Sequence, residues 1–162
     1  IDYNSDLYKE YIVGSAEVVG LMCLHIFTEG NPKEFERLKS YAMILGSAFQ
    51  KVNFLRDMKD DYQILGRCYF PNVDISYFDN TVKAHIEKEI EEEFQIALQG
   101  IKKLPSSSRF GVYLAFRYYT SLFRKIKRTS ANEMINRRIR ISNGKKLSVM
   151  MSSYFQYKTS FL

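Results

Sequence analysis

Asp57 and Asp61 stand four residues apart, with Asp60 between them, in the stretch LGSAFQKVNFLRDMKDDYQILGRCYFP from Leu45 to Pro71. On a helix, residues at that spacing share a face with about 5–6 Å between their Cβ atoms. Two carboxylates so close repel each other unless a cation joins them. Oxygen ligands on one rigid face suit magnesium, which keeps several waters and bridges to substrate phosphates; manganese takes the same donors. Asn53, four residues before Asp57, and Gln50, three before Asn53, extend the stripe. Arg56 can pair bidentately with a carboxylate or a phosphate. The competing reading is a surface charge pair flanked by Lys51 and Lys59. A face built from Gln50, Asn53, Asp57 and Asp61 is a poor surface pattern and a good wall for a metal and a phosphate. The predicted metal ligands are therefore Asn53, Asp57 and Asp61.

The elements that must hold this wall read as helices. Asp6 can cap a first helix with apolar positions Leu7, Tyr11, Val18, Leu21, Met22 and Ile26, ending near Gly30. Pro32 opens the next, and Lys33 to Leu65 carries Phe35, Leu38, Ala42, Leu45, Phe49, Val52 and Leu55 at helical spacing. Gly66 and Pro71 stop it, and Asn72 to Asp79 reads as a loop. Helices are expected from Thr81 to Leu104, Arg109 to Arg128, Ala131 to Arg138 and Lys145 to Phe161. Turns at Pro105–Ser108 and Ser142–Gly144 divide them. The run Glu87, Glu89, Glu91, Glu92, Glu93 reads as a solvated helix face. The sum is one all-α domain, a helical bundle over residues 1–162, without internal repeats.

Composition narrows the classes. Hydrophobic residues at 46% against 26% charged exclude a disordered chain. Cys23 and Cys68 are too few for a disulfide scaffold, which favours a reducing, cytoplasmic setting. His25 and His85 stand alone and read as structural. The apolar run Val18 to Phe27 is short for a membrane span, and no signal peptide is visible. The opening residue is Ile1 and not Met, as expected for a piece of a longer protein. Charge is polarised: residues 1–98 hold 10 Lys/Arg and 17 Asp/Glu, residues 99–162 hold 14 Lys/Arg and only Glu133. That basic part fits a polyanion such as diphosphate or an acidic membrane surface. Nucleic acid is disfavoured, because no zinc, helix-turn-helix or RNA-binding motif accompanies the charge.

The motif N-x-L-R-D-x-x-x-D followed by G-R-x-Y-x-P (Gly66, Arg67, Tyr69, Pro71) resembles the second aspartate-rich motif of the phytoene and squalene synthase family. Tyr11, Ala16, Val19, Gly20, Leu21 and Met22 resemble its Y-x-x-x-x-A-x-x-V-G-L-M helix. More loosely, Arg117, Tyr118, Tyr119 and Arg124 resemble its late tyrosine helix. Arg137, Arg138, Arg140, Lys145 and Lys146 resemble the basic segment before its last helix. Two departures stand out: Glu17 follows Ala16 where the family has glycine, and four residues separate Asp61 from Gly66, one more than usual. Asp2 and Asp6 also read D-x-x-x-D, but they directly precede the Tyr11 helix and are expected to be structural.

The resemblance implies the C-terminal portion of an isoprenoid synthase type I fold, most like a bacterial phytoene synthase. It implies head-to-head condensation of two geranylgeranyl diphosphates to phytoene through a cyclopropyl diphosphate, with magnesium and without NADPH. Squalene or dehydrosqualene synthesis from farnesyl diphosphate is the alternative within the family. It assigns Tyr11, Asp57 and Asp61 to catalysis, and Gln50, Asn53, Arg56, Arg67 and Arg140 to the diphosphate. The segment bearing the first aspartate motif has no counterpart here, so the fragment is expected to be inactive alone and to self-associate. Peripheral membrane contact is a further expectation. A non-catalytic basic module binding acidic lipid or a protein is the reading from another class.

Overall fold

The computed structural model describes residues 4–71 and 73–160. Asp2, half of the early D-x-x-x-D, and Phe161, the expected end of the last helix, lie outside them. No β-strand occurs among the described residues, and the all-α expectation holds. The helices are α1 (Ser5–Ile12), α2 (Val18–Phe27), α3 (Pro32–Gln63), α4 (Asn80–Lys102), α5 (Ser106–Lys127), α6 (Ala131–Asn136) and α7 (Asn143–Ser160). A π turn, Val13–Glu17, joins α1 to α2, and a single 3-10 turn, Ile75–Tyr77, punctuates the loop before α4.

The caps explain the boundaries. Asn4, not Asp6, opens α1: its side-chain oxygen accepts from the Asp6 and Leu7 amides at 3.1 and 2.9 Å. Asn31 accepts from the Lys33 and Glu34 amides, with Pro32 in the first turn of α3. Asp79 accepts from Thr81 and Val82, both at 2.8 Å. At the end of α3, Gly66 takes φ +59, and the Arg67 amide donates to the Asp61 carbonyl at 3.0 Å. Glycine adopts that left-handed conformation without a Cβ clash, which lets the longer loop close directly on the second aspartate.

The α1–α2 segment departs from the expected stripe. Leu7, Val18, Met22 and Ile26 are exposed, while Ile12, Ala16 and Leu24 are buried. The π turn inserts an extra residue per turn and rotates the buried face toward small residues. A Cβ on Gly20 would lie 2.6 Å from the Ala42 carbonyl oxygen, and one on Gly46 2.5 Å from that of Ala16. Two backbones in near contact bury little besides glycine and alanine. The turn also makes Ser5–Phe27 one rod of 23 residues, long and apolar enough by length and composition to cross a membrane, unlike the shorter run read from the sequence.

α3 is the spine. Ala48, Val52 and Leu55 are fully buried and join Ile90 of α4, Leu122 and Ile126 of α5, Met134 of α6 and Ile139 in the core. Burial of one such aliphatic side chain contributes about 1.5–3 kcal/mol. α6 ends two residues earlier than expected, at Asn136, and Arg137 is extended. In extended chain alternate side chains face alternate ways. Ile139 and Ile141 are buried, and Arg138 and Arg140 are exposed.

The acidic run on α4 is not a uniformly solvated face. Glu87 is buried and receives the buried Lys83 ammonium at 2.5 Å. Glu89 and Glu93 hold the buried Lys51 of α3, with Glu93 at 2.7 Å, and Ser47 donates to Glu93 at 2.9 Å. Glu91 pairs with Lys127 of α5 at 3.0 Å. Lysines occupying otherwise apolar seams require counter-ions there, and the run supplies them.

Candidate functional site

A cavity of about 620 Å³ opens between the π turn and α2, α3, α4 and α5. Its walls are almost wholly apolar: Val19 and Gly20 from α2, Leu45 and Phe49 from α3, Ile101 from α4, Val112 from α5. Gln50 is the polar residue where the cavity meets the stripe of α3 that continues through Asn53 to Asp57 and Asp61. Phe49 stacks on Tyr119 of α5 with ring centroids 3.9 Å apart and planes 14° from parallel. The Tyr119 hydroxyl donates to the Asn53 side-chain oxygen at 3.3 Å. One tyrosine thus spans the apolar wall and the polar stripe. The Asn53 amide in turn donates to Gln50 at 3.5 Å.

Beyond Asn53 the charges crowd. Arg56 pairs bidentately with Asp57, its Nε 3.0 Å from Oδ1. Arg138, delivered by the extended segment after α6, places Nε 2.5 Å from the same Oδ1 and Nη1 3.8 Å from Asp60. The Ile139 amide, donating to the Arg56 carbonyl at 3.3 Å, pins that segment to α3. Burial, and then repulsion from Asp57 and Asp60, pushes the Asp61 carboxyl above the ordinary range despite Arg138 and Arg56. A second positive charge near Asp61 would relieve that repulsion.

The structure brings Gln50, Asn53, Arg56, Asp57 and Asp61 together on one side of α3. Arg67 is tied to the same place through its backbone. Tyr11 lies on the neighbouring face: its ring packs 5.7 Å from Phe54 and 5.1 Å from Tyr69, and so joins the first-helix motif to G-R-x-Y-x-P. Arg140 is anchored by its carbonyl, which accepts from Lys125 at 2.6 Å, while Arg138 is the arginine that reaches the aspartates. The alternation Arg138-Ile139-Arg140-Ile141 signals that both arginines share a side; only the three-dimensional path of the segment selects Arg138. Glu17, the departure from the glycine pattern, sits half-buried beside Lys51 and away from the aspartates, its carboxyl pushed up by burial.

A family model described as squalene/phytoene synthase matches residues 2–145. The chain belongs to the squalene/phytoene synthase family. It is 24% identical over 163 residues to phytoene synthase 1, chloroplastic, of Zea mays, covering 91% of this chain and 39% of that protein. Against phytoene synthase 1, chloroplastic, of Solanum lycopersicum, identity is 26% with the same coverage. Against 4,4'-diapophytoene synthase of Staphylococcus haemolyticus (strain JCSC1435) it is 24% over 166 residues, covering 92% and 56%. The chain therefore spans between about two-fifths and just over half of these relatives. In this squalene/phytoene synthase chain, the cavity and the aspartate stripe both lie inside the matched residues.

Proposed function

We propose that this chain is one wall of a prenyltransferase that condenses two geranylgeranyl diphosphates head to head to phytoene. The observation that carries the reading is the junction of an apolar cavity with the Gln50–Asn53–Asp57–Asp61 stripe. A prenyl diphosphate has the same two-part chemistry: a long apolar chain and a compact polyanion. Among the described residues no group of three or more His, Cys, Asp or Glu forms a closed metal cage. Two carboxylates and an amide on one face instead suit magnesium, which retains water and shares substrate phosphate oxygens. Asn53, Asp57 and Asp61 would hold magnesium, which when bound supplies positive charge to the departing diphosphate.

The chain's own residues do the rest. Gln50 and Asn53 orient the polar head at the cavity mouth, and Arg56 and Arg67 supply guanidinium charge to it. Val19, Leu45, Phe49 and Val112 exclude water from the allylic carbon as it becomes cationic. Tyr119 fixes Asn53, and Tyr11 sits beside the stripe against Phe54 and Tyr69. Diphosphate clamps of this type need carboxylates from two opposing helices, and one wall is recognisable here. The 162 residues alone are accordingly expected to make no product.

The test adds geranylgeranyl or farnesyl diphosphate and magnesium to the chain alone and to a full-length parent, with a search for forty- and thirty-carbon products. A forty-carbon product from the parent alone supports the reading. A thirty-carbon product without added reductant moves it to dehydrosqualene synthesis. Binding that weakens with salt but ignores magnesium and Asp57 would return the chain to a non-catalytic basic module.

A further inference from the structure

The two ends of the apolar cavity differ in make. Along α3 its wall runs from Gln50 back through Phe49, Leu45 and Ala42 to Tyr41 and Leu38. At 1.5 Å per residue α3 advances about 14 Å from Gln50 to Tyr41. Side chains on a helix lean toward its N-terminus, which carries the Tyr41 ring farther still from the polar mouth. There Leu24, Leu38 and Leu104 form a small buried cluster apart from the main core, with Phe27, Tyr41 and Val112 packed against it. Each of these residues also lines the cavity. Tyr41 is held from two sides. A Cβ on Gly100 of α4 would stand 2.2 Å from the Tyr41 Cβ and 2.6 Å from its Cγ, so only glycine leaves room for the side chain. On the outer side the exposed Lys103 ammonium donates to the Tyr41 hydroxyl at 2.8 Å and stands over the ring, 4.5 Å from its centroid. Such a cation is attracted to the ring face. Arg37 donates to the Lys103 carbonyl at 3.2 Å and ties that turn to α3.

We propose that Tyr41 is the end stop of this cavity and sets the longest prenyl chain the site takes, the geranylgeranyl chain. The inference rests on the prenyl diphosphate reading given above. A chain fixed by its diphosphate at the Gln50 mouth gains affinity with every carbon that leaves water for the wall. The gain ends where the chain meets a side chain that does not yield. Leu45 and Phe49 flank the cavity along its length, whereas Tyr41 stands across its far end. The ring is half-buried: its carbon edge lines the cavity, and its hydroxyl reaches Lys103 at the surface. Moving it outward breaks the contact with Lys103, and the α4 backbone at Gly100 closes the path sideways. Without this ring the cavity end opens beside Lys103, and a longer chain has somewhere to go.

The test uses the full-length parent and prenyl thiodiphosphates, in which sulfur replaces the bridging oxygen so that the chain binds without ionising. Calorimetry with magnesium present gives affinities for the geranyl, farnesyl, geranylgeranyl and farnesylgeranyl analogues. In the wild type affinity should rise by roughly tenfold per added isoprene unit up to geranylgeranyl, and fall for farnesylgeranyl. Tyr41→Ala should bind the farnesylgeranyl analogue about tenfold more tightly than the wild type does, and the farnesyl analogue equally well. Tyr41→Phe, which keeps the ring against Gly100, should keep the wild-type limit. A role in packing alone would weaken all lengths together in Tyr41→Ala. That result, or a limit that Tyr41→Ala leaves unmoved, overturns the stop and leaves the prenyl reading standing. A limit at farnesyl that Tyr41→Ala lifts upholds the stop and moves the reading to the shorter substrate. Affinity independent of chain length in the wild type overturns both.

Discussion

Two charged clusters sit within ten residues of each other on α3, and they are built in opposite ways. Lys51 is 4% exposed and its ammonium is bound by Glu89 and Glu93, with Ser47 donating a hydrogen bond to Glu93. That node ties α3 to α4, with Lys51 and Glu93 turned inward and Glu89 half-exposed. At Asp57–Asp61 three carboxylates meet two guanidiniums, both on Asp57, and Asp61 is left with a raised affinity for a proton. In the first cluster both carboxylates touch the buried ammonium. In the second, Asp61 pairs with neither guanidinium among the described residues, on a stripe that meets the cavity at Gln50. A closed ion cluster is built as a strut; on the proposed reading, the open one is a receptor.

The largest expected effect separates the two roles. Asp57→Asn or Asp61→Asn in a full-length parent should lower turnover by about a thousandfold or more, the scale of several kcal/mol of lost metal-assisted stabilisation. The melting temperature should change little, because Asn keeps the shape, Asp61→Asn removes a repulsion, and the pairs that Asp57→Asn loses with Arg56 and Arg138 are partly exposed. Unchanged turnover, or collapse of the circular dichroism spectrum, would dissolve the contrast.

The strut should respond the other way round. Lys51→Met leaves Glu93 buried without its cation, and loss of one partner of a buried pair costs about 3–5 kcal/mol. Thermal melting should fall by about 10 °C for a domain of this size. Adding Glu93→Leu should restore most of it, since Glu89 is half-exposed and can turn to water. The pH dependence has a definite sign. Burial already holds the Glu93 carboxyl above its ordinary range against the pull of Lys51. A carboxyl raised on folding contributes stability that is complete below its unfolded pKa, about 4.3, and is lost as pH rises through the folded value. Without Lys51 the folded value climbs further, so the single variant should lose stability more steeply on going from acid to neutral pH. A flat difference between variant and wild type would place Glu93 in solvent.

The aspartate stripe was legible in one dimension because its spacing is local. Gln50, Asn53, Asp57 and Asp61 lie on one helix, so 3.6 residues per turn suffices to put them on one face. The strut was illegible for the complementary reason. Lys51 reads as a flanking surface charge until α4 supplies Glu89 and Glu93, some forty residues on, and those glutamates read as solvated until Lys51 is opposite them. The same limit separated Arg138 from Arg140: alternation shows that they share a side but not which one meets Asp57. In the first helix the apolar pattern was clear and its phase was wrong, since the π turn answers to a close approach at Gly20 and Gly46 that no hydrophobic period reports. Asn4 in place of Asp6 as the cap is a smaller miss of two residues, decided by which side chain reached the free amides.

The smallest effects test how open the receptor is. Arg138 holds Asp57 Oδ1 from a side chain that is 38% exposed, whereas Arg56 on the same helix is 23% exposed. A divalent ion joining Asp57 to Asp61 must share or displace one of these guanidiniums, and Arg138 is the one with solvent to move into. A partly exposed pair of this kind is worth about 0.2–1 kcal/mol. Arg138→Gln should therefore tighten manganese binding to the substrate-free protein by about two- to fivefold, measured by the loss of free-ion paramagnetic resonance signal. Asp60→Asn should change it less, since Asp60 touches Arg138 only at 3.8 Å and lies off the Asn53–Asp57–Asp61 line. Asp61→Asn should weaken it most, which fixes the site being read. Tighter binding in Arg138→Gln that persists in the Arg138→Gln/Asp61→Asn double variant would mean that the ion sits elsewhere. Weaker binding in Arg138→Gln would make the arginine an organiser of the aspartates, and the receptor would then be as closed as the strut.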